Sequence, residues 1–216
     1  MNTDQQRLWD KCYRTSLRLW KGFEEFPVKL LGNERVLEIG CGDGKTISAV
    51  ERENSFLVGV DFSFEALRTC RARFSGNHKL HFVQADAVSL PFRDKSFDLV
   101  ISFHLFEHLK SDERQAVISE VKRILVENGI FLFRALSTHD LRYGSGKEIE
   151  KNTFLKGSGM TVHFFDENEV LELLEGMIIE RLSKIDKKKR YGEAEVRRSY
   201  IEAVAKKPAQ TFDSRG

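Results

Sequence analysis

Cysteine is scarce in this chain: Cys12, Cys41 and Cys70 are the only three, an odd number, and no two form a CxxC pair. Neither a disulfide framework nor a cysteine-built zinc site is expected. No apolar run approaches the roughly 20 residues that a membrane helix needs. The first ten residues, MNTDQQRLWD, are polar and acidic with no apolar signal core. Together these gaps predict a cytoplasmic protein in a reducing compartment, with no membrane span. His104 and His108 have only Glu107 between them as a further ligand type, so no metal is expected. Charge of one sign is missing too. The formal net charge is +2 with 31% charged residues, which gives no electrostatic reason to expect nucleic acid or an anionic membrane as partner. The one local excess lies at 181–190, where six Lys and Arg face only Asp186, a run that reads as a solvated turn.

What the chain has is apolar material in a regular order. Hydrophobic residues make up 41%, with seventeen phenylalanines, enough for a sizeable core. Strand-like runs fall at 36–39, 56–60, 80–83, 98–102 and 130–133, with helical patterns between them, as βαβ crossovers require. Ser63 is placed to cap one helix, with Phe64, Leu67 and Phe74 on its apolar side. Ser111 is placed to cap another, whose stripe is Val117, Ile118, Val121, Ile124 and Leu125 and whose end is Asn128-Gly129. Asp166 to Glu169 reads as a capping box.

Two further strands, at 177–185 and 199–205, flank the basic run as an antiparallel hairpin. At the other end, residues 4–26 form an amphipathic helix with Trp9, Tyr13, Leu17 and Trp20 on one side. Trp9 is expected in the core, and Tyr13 and Trp20 at a pocket edge. The predicted fold is α/β: a doubly wound, mostly parallel seven-stranded sheet with a C-terminal antiparallel hairpin and an N-terminal helical cap. The cap is expected over residues 1–30 and the main domain over 31–210.

The chemistry concentrates where strands end. Val36 to Gly44 runs from a buried strand into the turn Gly40-Cys41-Gly42-Asp43-Gly44, and glycines there let a ligand approach the main chain. A dinucleotide turn needs a third glycine where Lys45 stands, and no GK[ST] closes a P-loop. Glu38, two residues before Gly40, opposes a pyrophosphate and suits a cofactor with ammonium and sulfonium groups. Asp61, 17 residues after Gly44, can accept from both hydroxyls of a ribose. Phe62 beside it can pack on adenine. Asp86-Ala87, past the third strand, can meet adenine's amino group and ring nitrogen. The fourth strand runs through Ser102 to His104, where backbone carbonyls can hold an ammonium.

The segments LEIGCGDG, GVDFS, VQADAVSLPF, FDLVISFHLFEHL and EVKRILVENGIFLF, between Val36 and Phe133, resemble the class I S-adenosylmethionine-dependent methyltransferases, in their order and spacing. The likeness is to the broad group that includes ubiquinone- and menaquinone-biosynthesis-type enzymes. The resemblance implies S-adenosylmethionine as cofactor. It implies that Glu38, Gly40 and Gly42, with Cys41 and Gly44 of the same turn, line the methionine part. Asp61 and Phe62 would take the ribose and adenine side, Asp86 and Ala87 the adenine, and Ser102 and His104 the border of the transferred methyl. His104 is the candidate general base. The Asn/Asp-Pro-Pro-Tyr form of methylases acting on exocyclic or amide nitrogens is missing here. With the connection 137–165 as a lid, the expected acceptor is a small molecule methylated in line. An RNA or protein methyltransferase, or a non-catalytic cofactor-binding module, is the alternative.

Overall fold

The computed structural model describes residues 3–15, 26–50, 56–191 and 194–209. Helix α1 (Thr3–Thr15) precedes strand β1 (Arg35–Ile39). The βα alternation follows: α2 (Ile47–Val50), β2 (Phe56–Asp61), α3 (Phe64–Arg73), β3 (Leu80–Gln84), β4 (Phe97–Phe103), α4 (Ser111–Ile124) and β5 (Leu125–Leu136). A short meander, β6 (Lys147–Glu150), β7 (Thr153–Leu155) and β8 (Thr161–His163), leads to α5 (Glu167–Leu173). The long hairpin β9 (Ile178–Tyr191) and β10 (Ala194–Lys206) ends the described chain.

The main sheet has seven strands in the order β3-β2-β1-β4-β5-β10-β9. The first five are mutually parallel, and β10 is antiparallel to both β5 and β9. The strand order reverses between β1 and β4, so the crevice outside their carboxyl ends is the natural ligand position. Successive residues of β1 and β2 serve opposite faces, as the two-residue strand period demands. Val36 and Leu57 join a core with Ile47, Leu67 and Cys70. Leu37, Ile39, Val58 and Val60 join a larger one with Val117, Val121, Val170 and Leu173. Both faces being covered, these strands read as unbroken apolar runs.

The local signals held in part. Ser63 Oγ accepts from Ala66 N at 3.2 Å, and Asp166 Oδ1 from Glu169 N at 2.9 Å, capping α3 and α5. Phe64, however, is exposed, while Leu67 and Phe74 are buried, because Phe64 opens the helix on its outer side. Ser111 is not the cap of α4. That position is Lys110, whose N–H donates to Glu113 Oε2 at 2.8 Å, and Ser111 is already helical. Nor does Asn128-Gly129 end α4. The helix stops at Ile124, where Leu125 turns extended (φ −70°, ψ 138°). Asn128, at φ +64°, instead shapes a bulge where Leu125 opposes Phe97 and Ile130 opposes Leu99.

Two larger corrections concern the C-terminal half. The basic run is not a turn: Asp186 to Tyr191 pair residue by residue with Ser199 to Ala194, inside the hairpin. Charge without apolar alternation hides a strand from a periodicity reading. The connection 137–165 carries the three-stranded meander on a small core of Leu136, Phe154 and Phe164. At the N-terminus α1 is seen through Thr15; Leu17 and Trp20 lie outside the described residues. Among the described residues no helix is long and apolar enough to cross a membrane.

Candidate functional site

At the carboxyl end of β1 the chain turns through three left-handed glycines, Gly40 (φ +74°), Gly42 (φ +53°) and Gly44 (φ +79°). The amides of Gly40 and Cys41 donate to the Val60 carbonyl at 2.8 and 2.9 Å, tying the turn to β2. A Cβ on Gly42 would sit 2.5 Å from the Tyr13 hydroxyl and push that ring aside, and the φ of +53° itself favours glycine. Asp61 completes the tie. Its Oδ2 accepts from Gly42 N and its Oδ1 from Ser63 N, both at 2.9 Å. Burial pushes the Asp61 carboxyl up to about 6, against the backbone donors that favour its ionised form.

A cavity of ≈ 470 Å³ opens over this turn. Glu38, Gly40, Cys41, Gly42, Asp61, Phe62, Asp86, Ala87 and His104 are on its wall. Two of the expected residues are elsewhere. Ser102 is fully buried within β4. Gly44 is behind the turn, where a Cβ would meet Phe74 at 2.5 Å. Cys41 faces the core with its side chain, and burial holds its thiol well above the usual range. The donor set fits a cofactor that joins an ammonium, a sulfonium and a ribose. Glu38 and Asp61 are both buried carboxylates, and the left-handed glycine turn between them leaves the main chain bare.

Helix α1 roofs the cavity. Trp9 and Tyr13 are both on its wall, with ring centroids 5.9 Å apart. Trp9 is half-buried and edge-on to His108 at 4.8 Å, not in the core. The helix is held by Asp10, whose Oδ1 accepts from Ser63 Oγ (2.6 Å) and Glu65 N (3.2 Å). Gln6 adds a bond from Nε2 to the Phe62 carbonyl at 3.1 Å. Gln6 and Asp10 lie beside the aromatic stripe on the same side of α1, and nothing in the sequence pattern hinted at this anchoring.

His104 follows β4 in a left-handed conformation, φ +64°, rare for a non-glycine residue. Its Nδ1 is 3.1 Å from Oε1 of Glu107, which is buried and also accepts from Leu136 N at 3.1 Å. Burial pushes the Glu107 carboxyl up, but His104, His108 and Arg142 outweigh it and the net shift is downward. Glu107 therefore stays a carboxylate and orients the imidazole. His108 plays another part: burial lowers its pKa, and its Nδ1 bonds to the Thr161 carbonyl at 3.0 Å, linking the site to β8.

Sequence reasoning missed the far wall. Asp140, just after β5, is buried and binds both Arg142 (Nε, 2.7 Å) and Arg198 (Nε, 2.9 Å). Both arginines line the cavity. No motif links 140–142 to 198; only the hairpin register brings them together.

A parallel sheet reversing at β1/β4, a left-handed glycine turn and a buried aspartate at the end of the next strand form one cavity wall, and comparison with known proteins gives the class. Residues 37–133 match the methyltransferase domain family. The tRNA N(3)-methylcytidine methyltransferase of Drosophila melanogaster is 27% identical over 217 residues, covering 86% of this chain and 67% of that protein. The tRNA N(3)-cytidine methyltransferase of Gallus gallus is 27% identical over 168 residues, but the chain spans only 45% of its length. A demethylmenaquinone methyltransferase of Clavibacter sepedonicus is 34% identical over 122 residues, 56% of this chain and 49% of that one. Among solved structures, a methyltransferase from Methanosarcina mazei shares the fold, with a TM-score of 0.75 at 23% identity. It covers 87% of this chain and 100% of that chain. Residues 37–133 thus carry a methyltransferase domain, and the chain has the fold of S-adenosylmethionine-dependent methyltransferases.

Proposed function

We propose that this chain transfers the methyl group of S-adenosylmethionine in line to a nucleophile on a nucleotide of RNA. The cofactor supplies a leaving group already activated by its sulfonium charge. The protein's work is then alignment and exclusion of water. In this reading Asp61 accepts the ribose hydroxyls and Phe62 packs beside the adenine, which Asp86 and Ala87 meet. Glu38, Gly40 and Gly42 hold the methionine part. His104, oriented by Glu107, borders the methyl and takes the proton of an acceptor that carries one.

The observation that carries the RNA reading is the position of the basic hairpin. Strand β5 ends at Leu136, opposite Tyr200. The preceding β10 residues and their β9 partners continue past the carboxyl ends of the parallel strands, on the side of the cavity. Lys187 to Arg190, four of the six basic residues of 181–190, thus stand on a ribbon beside the site, with Arg197 and Arg198 on the partner strand, where phosphate contacts add affinity without sequence preference. The similarity to tRNA methyltransferases over most of the chain supports the same acceptor, whereas the sequence alone put a small molecule first and RNA as the alternative. The small-molecule reading is second, favoured by a cavity roofed by α1, with Arg142 of the 137–165 connection on its wall.

Tritiated S-adenosylmethionine offered with pooled tRNA, and separately with a small-molecule extract, tests the choice. Ribonuclease-sensitive tritium in the RNA is expected, with RNA affinity falling at least about tenfold between 50 and 200 mM salt. Tritium only in the small-molecule fraction would install the second reading, and none in either would overturn both.

A further inference from the structure

Asp140 does more than one structural ion pair requires. Its Oδ1 accepts from Arg142 N (3.1 Å) and Arg142 Nε (2.7 Å), and its Oδ2 from Arg198 Nε (2.9 Å) and Ser199 N (3.0 Å). One fully buried carboxylate side chain therefore grips two guanidinium groups by their Nε edges and fixes both to the cavity wall. The cluster of two arginines and one aspartate carries a net positive charge. Arg142 Nη2 is buried and, among the described residues, has no hydrogen-bond partner. A buried donor left unmade is costly unless something binds there. Arginine forks held in place by a carboxylate behind them are a suitable receptor for a tetrahedral oxyanion.

The hairpin extends the same charge outward. Arg198 stands directly opposite Lys187, and Arg197, itself paired with Asp186 at 2.6 Å, directly opposite Lys188. Tyr200, two residues after Arg198 on the same face of β10, has its ring 6.2 Å from the ring of His104. The arginine pair is thus one strand repeat from the group that borders the methyl.

We infer that Arg142 and Arg198, clamped by Asp140, form a phosphate-binding site that holds the methyl acceptor by a phosphate next to the nucleoside being methylated. The inference rests on the RNA reading above for its commitment to a phosphodiester. The same chemistry accepts the phosphate of a free nucleotide, so the test separates the two. With S-adenosylhomocysteine saturating, wild type, Arg142→Gln, Arg198→Gln and Arg142→Lys are compared in binding a labelled single-stranded oligoribonucleotide of about ten nucleotides. Competition by uridine monophosphate is set against competition by uridine. Arg35→Gln, at the opposite end of the sheet and paired with Asp98, is the control.

Each glutamine variant is expected to weaken oligonucleotide binding about tenfold or more, and Arg142→Lys to recover part of it. S-adenosylhomocysteine affinity should stay within about twofold of wild type, which also shows that the variants fold. Uridine monophosphate should compete and uridine should not. If the monophosphate binds and the variants lose it while no RNA binds, the phosphate site stands and the RNA reading falls. If RNA binds and is methylated equally by wild type and both glutamine variants, the RNA reading stands and this inference is overturned. Equal competition by uridine overturns it as well.

Discussion

Asp61→Asn will weaken S-adenosylhomocysteine binding by roughly 100-fold or more, since each hydrogen bond to a charged acceptor is worth about 1.5–3 kcal/mol and two are lost or weakened. The substitution also turns an amide N–H₂ toward a backbone donor, because Asp61 already accepts from Gly42 N and Ser63 N. The same residue gives wild type a pH signature. Burial raises the Asp61 carboxyl from its ordinary 3.8 to about 6, and the protonated form accepts poorly. Cofactor affinity should be flat above pH 6 and fall as pH drops below it, approaching about tenfold per unit. Stability of the free protein moves the other way. The folded chain binds this proton before the unfolded chain does, so the group's contribution is fully present below 3.8 and is lost as pH rises through about 6. Calorimetric titrations from pH 5 to 8 check the affinity, and urea unfolding of the free protein across the window from 3.8 to about 6 checks the stability; an affinity unchanged across its range, or a variant binding within about threefold of wild type, would remove Asp61 from the cofactor site.

Arg134→Met will cost about 3 kcal/mol of folding stability or somewhat more, the scale for breaking one side of a buried ion pair. Arg134 is buried between the rings of Phe103 (4.1 Å) and Tyr200 (5.0 Å) and donates from Nε to Glu202 Oε2 at 3.1 Å. It also stands directly opposite Glu202 in the β5/β10 register, so the pair fixes where the hairpin sits and how far its ribbon projects. Half-exposed Arg181 still reaches Glu202 Oε1 at 3.2 Å in the variant, which keeps the expected loss near the lower end. The double variant Arg134→Met/Glu202→Leu should recover most of the loss, because no charge is then buried alone. Urea unfolding of the four proteins of that cycle measures it. A single-variant loss under about 1 kcal/mol would show that the pair is not a determinant of the hairpin register.

The contrast between those two residues shows what the sequence could reveal. The place of Asp61 on the cavity wall was legible because it depends on a short range of chain: a strand ends, a carboxylate follows, and the glycine turn is 17 residues before it. Glu38, Asp86 and His104 were legible for the same reason, each at the end of an apolar run. Arg134, Asp140 and Arg198 were not, because their meaning comes from register between β5 and β10, 64 to 72 residues apart in sequence from the Leu136–Tyr200 to the Leu132–Val204 pairing. The hairpin itself was half-read. Its apolar inner half alternates visibly, whereas its basic outer half is a strand only because a partner strand lies beside it. Capping signals succeeded where a side-chain oxygen does the work, at Ser63 and Asp166. They failed at α4, where the N-cap is a lysine and the bond comes from Glu113.

The most direct test of the account is a crystal structure with S-adenosylhomocysteine bound. The account predicts both ribose hydroxyls on the Asp61 carboxylate, the adenine beside Phe62 and Asp86, and the amino-acid end at Glu38 and the Gly40–Gly42 turn, with the sulfur directed toward His104. A ligand seated elsewhere, or one whose ribose lies outside hydrogen-bond reach of Asp61, would contradict it.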